Sequence, residues 1–236
     1  MNKLVQTLAR SPAATKKAIK PVKPASKARA TTRTNDPART MAGILEVATA
    51  EFAAKGLSGA RIDEIAATTQ TSKRMIYYYF GSKEGLYIAV LEEAYRRIRH
   101  IEQQLHLEDL EPEEALRKLV GFTVDYQWSN PDFVRLVMNE NIHRGEFLVQ
   151  SKAIQGLNVP VVNAVQEVYD RGVKQGVFRA NLKPLDLHMT MSALSFFNVS
   201  NHHTFSLIFK HSLNDEANYQ ARRESIVETM VRHVRA

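Results

Sequence analysis

Residues 62–87 read IDEIAATTQTSKRMIYYYFGSKEGLY and combine two short helical patterns with a polar turn between them. Ser72 is a favourable N-cap for the second of these helices, which continues to about Phe80 because Gly81 then interrupts it. At about 100° per residue, the side chains of this helix divide into a cationic and phenolic face and an apolar face. The first face contains Lys73, Arg74, Tyr77 and Tyr78, and the second contains Met75, Ile76, Tyr79 and Phe80. Two cations beside two phenols suit an anionic polymer, so we interpret the segment as a DNA-reading helix-turn-helix.

The chemistry of the cationic face fits a helix whose N-terminal end approaches DNA. The first turn of a helix offers free N–H groups and the positive end of the helix dipole to phosphates. Lys73 and Arg74 reach base edges from this turn, and arginine can bind guanine through two hydrogen bonds. Tyr77 and Tyr78 can donate their hydroxyls to phosphates. The alternative interpretation is an exposed basic helix whose tyrosines only pack.

The rest of the chain also shows helical patterns, and no segment has a convincing strand alternation. A helix is predicted within residues 147–176, where Pro160 is expected to cause a kink or a break. Residues 185–209 are apolar nearly all round, which predicts a helix that is buried on several sides or lies in a subunit interface. Residues 215–234 carry a single apolar stripe. We therefore predict an all-α fold.

The positive charge of the chain is concentrated at its N-terminal end. Residues 1–34 contain nine lysines and arginines and no acidic residue, which leaves a net charge of −2 for residues 35–236. This tail is rich in alanine, proline, serine and threonine, and is predicted to be disordered. A cationic arm can add phosphate contacts or enter a minor groove, and an extension without function is the alternative.

The composition excludes several kinds of site. The 236 residues include no cysteine, which rules out disulfides, thiolate metal sites and cysteine nucleophiles. The signatures of phosphate-binding loops, dinucleotide-binding folds, zinc proteases and serine hydrolases are absent. No apolar run reaches the roughly 18 residues of a membrane span. We expect a cytoplasmic protein that is not an enzyme and has no cofactor, no metal and no membrane partner.

The histidines of the C-terminal half allow two interpretations. His188 and His202 are fourteen residues apart and share a helix face. His203 lies in the same apolar segment, and His143 lies at the end of an earlier predicted helix. Such residues can form a metal or ligand site. Hydrogen-bonded histidines of a core or an interface are the more ordinary interpretation.

A first helix ending in EFAAKG, followed by residues 62–87, resembles the tetracycline-repressor (TetR) family of bacterial transcriptional regulators. The specific part spans about residues 40–90, and residues 110–236 resemble the family only in helical pattern and length. The resemblance implies about nine helices, a homodimer, and a palindromic double-stranded DNA operator that two recognition helices read. The strongest signature consists of the run Tyr77 to Phe80 followed by Ser82, Lys83, Glu84 and Leu86.

The resemblance also assigns DNA contacts to positions of this chain. They are Arg61 near the start of the second helix, Ser72, Lys73 and Arg74 at the start of the recognition helix, Tyr77 and Tyr78 at phosphates, and Lys83 at the start of the fourth helix. The turn departs from the family, because residues 69–72 read Thr-Gln-Thr-Ser where Ala-Gly-Val-Ser is usual. Since Gln70 replaces a glycine at a tight turn, a slightly different backbone is expected there, which leaves the angle of the recognition helix open.

An effector cavity among the middle helices is a further implication of the resemblance. The candidate lining residues form an apolar set with few polar anchors, which favours a small apolar or aromatic effector. Core packing explains any one of them equally well. The candidates are Trp128, Phe133, Met138, Asn141, Phe147, Val161, Val165, Asn198 and His202.

These observations predict a ligand-responsive DNA-binding regulator, most directly a repressor that an effector releases from DNA. The predicted organisation is a disordered basic tail (1–34), a helix-turn-helix DNA-binding domain (35–85), and an effector-binding and dimerisation domain (86–236). The effector must bind one state better than the other, because equal affinity shifts no population. The alternative is a constitutive DNA-binding or architectural protein that has a filled helical core and no effector.

Overall fold

The computed structural model describes residues 36–213 and 215–236, without the side chains of residues 158 and 159. The regular secondary structure of this part of the chain is α-helical, apart from an isolated β-bridge between Phe178 and Arg235 and two short 3₁₀ turns. The predicted all-α fold is confirmed, whereas the predicted basic tail lies outside the described residues. The ten helices described are α1 (Pro37–Gly59), α2 (Ile62–Thr68), α3 (Lys73–Phe80), α4 (Lys83–Gln103), α5 (Pro112–Ser129), α6 (Pro131–Ile142), α7 (Lys152–Lys174), α8 (Pro184–Ser200), α9 (His202–Phe209) and α10 (Glu216–Val234).

Aspartate and serine caps determine where the first helices begin. The carboxylate of Asp36 accepts hydrogen bonds from two N–H groups in the first turn of α1. Ser72 Oγ accepts from the N–H of Met75 at 3.2 Å, and Ser82 Oγ accepts from the N–H of Gly85 at 3.0 Å. These bonds satisfy donors that have no partner inside the helix. The helix α3 therefore begins where the sequence predicts, directly after Ser72.

The first of two hydrophobic cores holds α1 to α4 together and continues into the C-terminal helices. Phe52 and Tyr87 are fully buried, with ring centroids 5.0 Å apart. Tyr87 also meets Phe147, at 5.4 Å. Leu136 from α6 and Ile154 from α7 belong to the same core. The helix-turn-helix therefore shares its core with the C-terminal helices. A displacement of α6 or α7 would act directly on the packing of α1 to α4.

The second core lies among α5, α7, α8 and α10. Leu119, Val168, Met191 and Met230 are almost completely buried there, one from each of these helices. At roughly 1.5–3 kcal/mol for each buried aliphatic side chain, this core is a main source of stability for the C-terminal helices. Within residues 36–213 and 215–236, no helix is both long and apolar enough to cross a bilayer.

Two segments show whether a predicted helix is continuous or divided. α7 continues through Pro160, which removes one N–H donor but does not divide the helix. The apolar segment 185–209 forms two helices instead of one, because Asn201 ends α8 with φ −108° and ψ 2°. The carbonyl of Asn201 then accepts from the N–H of Phe205 at 2.9 Å, which starts α9.

The turn between α2 and α3 has a glutamine in a left-handed conformation. Gln70 has φ +53°. The N–H of Thr71 donates to the carbonyl of Ala66 at 3.0 Å, and the N–H of Gln70 donates to that of Ala67 at 3.2 Å. These two bonds define a Schellman motif, in which the left-handed position favours glycine. Gln70 therefore permits the tight turn, but its left-handed backbone conformation destabilises the folded state.

We predict that Gln70→Gly raises the free energy of unfolding by about 0.5–1 kcal/mol. Glycine removes a left-handed strain of roughly 1–2 kcal/mol and loses part of that gain to the greater entropy of its unfolded chain. Urea unfolding followed by circular dichroism measures the change. Gln70→Ala is the matched control and should give no gain, because it keeps the Cβ atom. An equal gain for both variants would show that the glutamine side chain, and not the backbone, is the source of the strain.

Candidate DNA-binding site and effector region

The helix α3 exposes the four side chains that the sequence assigned to its cationic face. Lys73 and Arg74 are exposed, and Tyr77 and Tyr78 are 44% and 77% exposed. On the opposite face Ile76 is completely buried. Packing alone does not explain two tyrosines with this exposure. The geometry fits phosphate and sugar contacts along one side of the helix.

Asp63 of α2 forms ion pairs with two of the predicted contact residues. Its carboxylate contacts Lys73 Nζ, and its Oδ2 lies 3.7 Å from Arg61 Nη2. All three side chains are about half exposed or more. Ion pairs at such exposure contribute about 0–1 kcal/mol, so a phosphate can replace the carboxylate. Sequence reasoning did not identify Asp63, because it lies ten residues before Lys73 and the turn brings the two together.

We predict that Asp63→Asn strengthens DNA binding by about three- to ten-fold on all sequences. The substitution frees Lys73 and Arg61 and removes a negative charge that would face phosphates. Fluorescence anisotropy on random and selected duplexes measures the change. Glu64→Gln removes the same charge from the neighbouring exposed residue, which forms no ion pair in the described part. If Glu64→Gln has the same effect, net charge and not the contact with Lys73 is responsible.

Lys83 links the start of α4 to the end of α1. Its Nζ donates to the carbonyl of Ser58 at 3.3 Å, and its side chain is half-buried. In the free protein Lys83 thus has a structural contact, and its assignment to a DNA phosphate remains a prediction. A phosphate at this position would also meet the free N–H groups at the start of α4.

The corner between α3 and α4 requires a residue without a side chain. A Cβ atom at Gly85 would overlap the carbonyl oxygen of Phe80. Gly81, with φ +76°, reverses the chain just before it. This close approach holds α3 at a fixed position on α4, so a movement of α4 also moves the recognition helix.

An open groove of about 760 Å³ lies between α1 and the corner formed by α4, α5 and α6. Tyr126 and Phe133 line one side, with ring centroids 5.9 Å apart, and Met41 and Leu45 of α1 line the other. Along this groove, α1 and the C-terminal helices are separated by solvent-accessible space.

Within the described residues, three of the predicted effector residues are divided between a small cavity and the groove beside α1. Trp128 stacks on Tyr219 with ring centroids 4.3 Å apart, and Trp128 and Asn198 both line a cavity of about 20 Å³ between α5, α8 and α10. Asn198 accepts a hydrogen bond there from Arg222 Nε at 3.2 Å. Phe133 lines the groove beside α1 instead. The small cavity has room for about one water molecule, and not for an effector.

The other predicted effector residues lie in the cores or at the surface. Phe147 packs on Tyr87 in the first core, and His202 Nδ1 lies 2.9 Å from the carbonyl of Val199. An effector contact stays a prediction for each. Phe147, Val161 and Val165 are buried, Met138 and His202 are half-buried, and Asn141 is exposed.

Sequence reasoning did not identify a buried ion pair in α4. Arg99 Nη1 contacts Glu102 Oε2, and the two side chains are only 12% and 9% exposed. Burial raises the pKa of Glu102, and the neighbouring Arg99 charge opposes this rise. A Glu and an Arg three residues apart on a helix usually lie on its solvent-exposed face, so the spacing alone does not predict that this pair is buried.

Two more buried polar groups lie on α5 and α8. Gln127 is 6% exposed, and its Oε1 finds no hydrogen-bond partner within the described residues. The same holds for His188 Nδ1. Burial, and after it the Arg99 charge, lowers the pKa of His188, so the imidazole is neutral at pH 7. Such groups are costly unless something supplies the missing hydrogen bonds.

A cluster with metal-ligand chemistry lies at the surface. His106, Glu108 and Asp109 place one ligand atom each within 4.8 Å of the others, and all three are exposed. Exposed acidic groups of this kind are common without a metal, and the cluster carries no functional assignment. His202 and His203 have ring centroids 3.6 Å apart. Among the residues that the structure describes, neither histidine belongs to a group of three or more potential metal ligands.

A helix-turn-helix with an exposed cationic and phenolic second helix, fixed to a larger helical unit, defines a DNA-binding regulator. Residues 44–90 match the model for bacterial regulatory proteins of the tetR family, and residues 112–230 match that for the tetracyclin repressor-like C-terminal domain. The chain belongs to the TetR family of transcriptional regulators.

Relatives of known name support this membership. The chain is 36% identical over 178 residues to the HTH-type transcriptional repressor NicS of Pseudomonas putida, covering 75% of this chain and 84% of that protein. It is 34% identical over 139 residues to the HTH-type transcriptional repressor SCO4008 of Streptomyces coelicolor, covering 58% and 69%.

Solved structures share the fold at low sequence identity. A tetR-family regulatory protein from Rhodococcus RHA1 has a TM-score of 0.65 at 19% identity, covering 84% of this chain and 98% of that one. The ketosteroid transcriptional regulator KstR2 of Mycobacterium tuberculosis has a TM-score of 0.64 at 16% identity, covering 88% and 100%. These similarities concern the fold alone.

Proposed function

We propose that this protein is a homodimeric repressor that binds a palindromic DNA operator and leaves it when a small molecule binds the C-terminal helices. The observation that carries the proposal is the exposed face of α3, where Lys73, Arg74, Tyr77 and Tyr78 are all accessible to DNA. Two relatives that are named repressors support the direction of regulation. Such a regulator works on DNA in the cytoplasm and needs no catalytic step.

An exposed apolar stripe on α8 supports dimerisation. Leu185, Met189 and Phe197 are 53%, 60% and 45% exposed, and Ala193 lies between them at the same four-residue spacing. Such a continuous apolar stripe is unusual on a monomer and is typical of an interface. A second copy of this chain is the partner that would cover it, because a two-fold axis lets the same stripe meet itself.

Hydrogen bonds from α6 to α1 and from the start of α7 to α4 support a coupling between effector binding and DNA binding. Asn139 Nδ2 of α6 donates to the carbonyl of Phe52 in α1 at 3.3 Å. Ser151 Oγ, at the start of α7, donates to Glu92 Oε1 of α4 at 2.5 Å. A ligand among the C-terminal helices would shift these contacts and move α4 together with α3. Since both recognition helices must fit half-sites about one helical turn of DNA apart, a small shift lowers affinity.

In this proposal the division into 35–85 for DNA and 86–236 for effector and dimer describes roles. It does not describe separate globules, since the first core contains residues of both parts. The effector would act by binding the DNA-incompetent state better than the other. An effector with an apolar or aromatic body suits the largely apolar interior of the C-terminal helices.

We predict that Arg74→Ala relaxes sequence specificity at one base position per half-site and costs about 1–3 kcal/mol on the preferred operator. Arg74 is exposed in the first turn of α3, where a side chain reaches base edges. Competition binding with all four base pairs at each position measures the effect. Tyr77→Phe is the matched comparison and should weaken binding on all duplexes alike. Equal losses for Arg74→Ala on random DNA and on operator would contradict base reading.

A further inference from the structure

The groove beside α1 has a size and an aromatic wall that suit a small organic ligand. Its volume of about 760 Å³ lies within the roughly 300–1,000 Å³ of small-molecule sites. The rings of Tyr126 and Phe133 line one side, and the Tyr95 ring packs on Phe133 with centroids 5.5 Å apart. Met41 and Leu45 of α1 line the other side. The groove thus offers an apolar and aromatic surface that neither the proposed DNA contacts nor the α8 stripe uses.

Acidic side chains predominate among the charged residues of this lining. The described residues that line the groove include three carboxylates, those of Glu46, Glu93 and Asp132, and one cation, Arg97. The formal charge of this lining is therefore −2, from three negative charges and one positive charge. Glu93 contacts Arg96, whereas Glu46 and Asp132 form no ion pair in the described part of the chain. A concave surface with an excess of negative charge attracts cations and repels anions.

We propose that this groove binds an organic cation, namely a protonated or quaternary amine with an aromatic or apolar body. The body packs between the aromatic wall and α1, and the ammonium group lies beside the carboxylates of Glu46 and Asp132. Aromatic rings add to the attraction, because their faces are electrostatically negative. A bare metal ion fits less well, since the three carboxylates do not form a group of metal ligands among the described residues. This site goes beyond the proposed function, whose effector binds within the C-terminal helices.

The position of the groove connects its ligand to DNA binding. One wall belongs to α1, which packs on α4 through Phe52 and Tyr87, and the other belongs to α4, α5 and α6. A ligand that contacts both walls has different affinities for two states that differ in the position of α1. By thermodynamic linkage, operator DNA then changes the affinity for the cation by the factor by which the cation changes the affinity for the operator. This coupling rests on the proposed function, and we expect a factor of about five or more.

Isothermal titration of the full-length protein without DNA tests the site. The probes are 2-phenylethylammonium and 1-naphthylmethylammonium, each beside the alcohol and the carboxylate that carry the same ring. At least one ammonium probe should bind about ten-fold or more tightly than its alcohol, and its carboxylate should bind most weakly. The proposal is overturned if neither ammonium probe binds more tightly than its alcohol, which includes the case in which no probe binds.

Charge variants of the lining give opposite expectations. The double substitution Glu46→Gln and Asp132→Asn should lower the affinity for the cation about ten-fold, and Arg97→Gln should raise it several-fold because it removes a like charge. Glu114→Gln is the matched control, since Glu114 is an exposed acid of α5 outside the groove. It should leave the affinity unchanged. A loss of affinity in Arg97→Gln, or an equal loss in Glu114→Gln, would contradict a cation site in the groove.

A steric variant locates the site without a change of charge. Ala42 of α1 lines the groove and is exposed, so Ala42→Trp should fill part of it and lower the affinity for the cation about ten-fold. Ala54→Trp adds the same side chain to an exposed position of α1 outside the groove, and should have no effect. Equal affinities in the two variants would place the bound cation elsewhere. Circular dichroism shows whether each variant keeps its helical fold.

Operator binding separates this inference from the proposed function. A protein that selects an operator and binds neither ammonium probe overturns the groove site and leaves the proposed function. A protein that binds a cation and selects no operator overturns the proposed function, while the groove site stands on its own titration. An affinity for the cation that saturating operator DNA leaves unchanged overturns the coupling alone.

Discussion

The double substitution Lys73→Ala and Tyr77→Ala should abolish sequence-specific DNA binding and leave the fold intact. Both side chains are exposed on α3, and the buried face of this helix, with Ile76 at its centre, is unchanged. A phosphate or base contact contributes about 1–3 kcal/mol, and a dimer loses each contact twice. We therefore expect a fall in operator affinity of at least about 100-fold. Anisotropy titration against a selected duplex measures the fall.

A matched control separates contact from charge. Lys118→Ala removes an exposed lysine of α5 that forms no ion pair among the described residues. This variant should bind the operator nearly as the unmodified protein does. If it loses as much affinity as the double variant, long-range charge and not the α3 surface governs binding. An unchanged circular dichroism spectrum for each variant shows that folding is not the cause.

The substitution Met189→Glu should convert the protein to a monomer and greatly weaken operator binding. Met189 is 60% exposed in the α8 stripe, between Leu185 and Phe197. In a two-fold interface the change places two carboxylates in one apolar contact, which costs several kcal/mol. The dimer dissociation constant should rise at least about 100-fold. Sedimentation velocity measures the association state.

Ile142→Glu is the comparison for this prediction. Ile142 is 73% exposed on α6 and is not part of the α8 stripe, and its substitution introduces the same charge. It should leave the dimer intact. A monomeric Ile142→Glu beside a dimeric Met189→Glu would place the interface on another surface. If neither variant dissociates, the exposed residues of α9 and not those of α8 would be the next candidates, led by Leu207, which is 80% exposed.

The DNA-binding half could be predicted because its signals are local. The N-caps Ser72 and Ser82 and the spacing of Ile76 and its neighbours determine one helix and its two faces within ten residues. The sequence shows that Gln70 replaces a glycine of the family's turn, but it does not predict that Gln70 adopts a left-handed conformation. The ion pair between Asp63 and Lys73 was not predicted, because it depends on how the turn folds back.

The effector region could not be predicted as well, because its contacts join helices that are far apart in the sequence. Trp128 stacks on Tyr219 across 91 positions of the chain, and no periodicity within either helix indicates that partner. Arg99 and Glu102 have a spacing that is typical of a solvated face, yet tertiary packing buries both. Asn201 divides a segment whose apolar composition favoured one helix. In each case tertiary packing overrides the local pattern.

Selection of bound duplexes from random DNA by the purified, full-length protein is the most direct test of the central claim. We expect an enriched palindrome with half-sites about one helical turn apart, which the Lys73→Ala and Tyr77→Ala variant no longer selects. Binding without an enriched motif, equal in the protein and this variant, would contradict operator-specific recognition by α3. It would indicate an architectural DNA-binding protein in place of an operator-specific repressor.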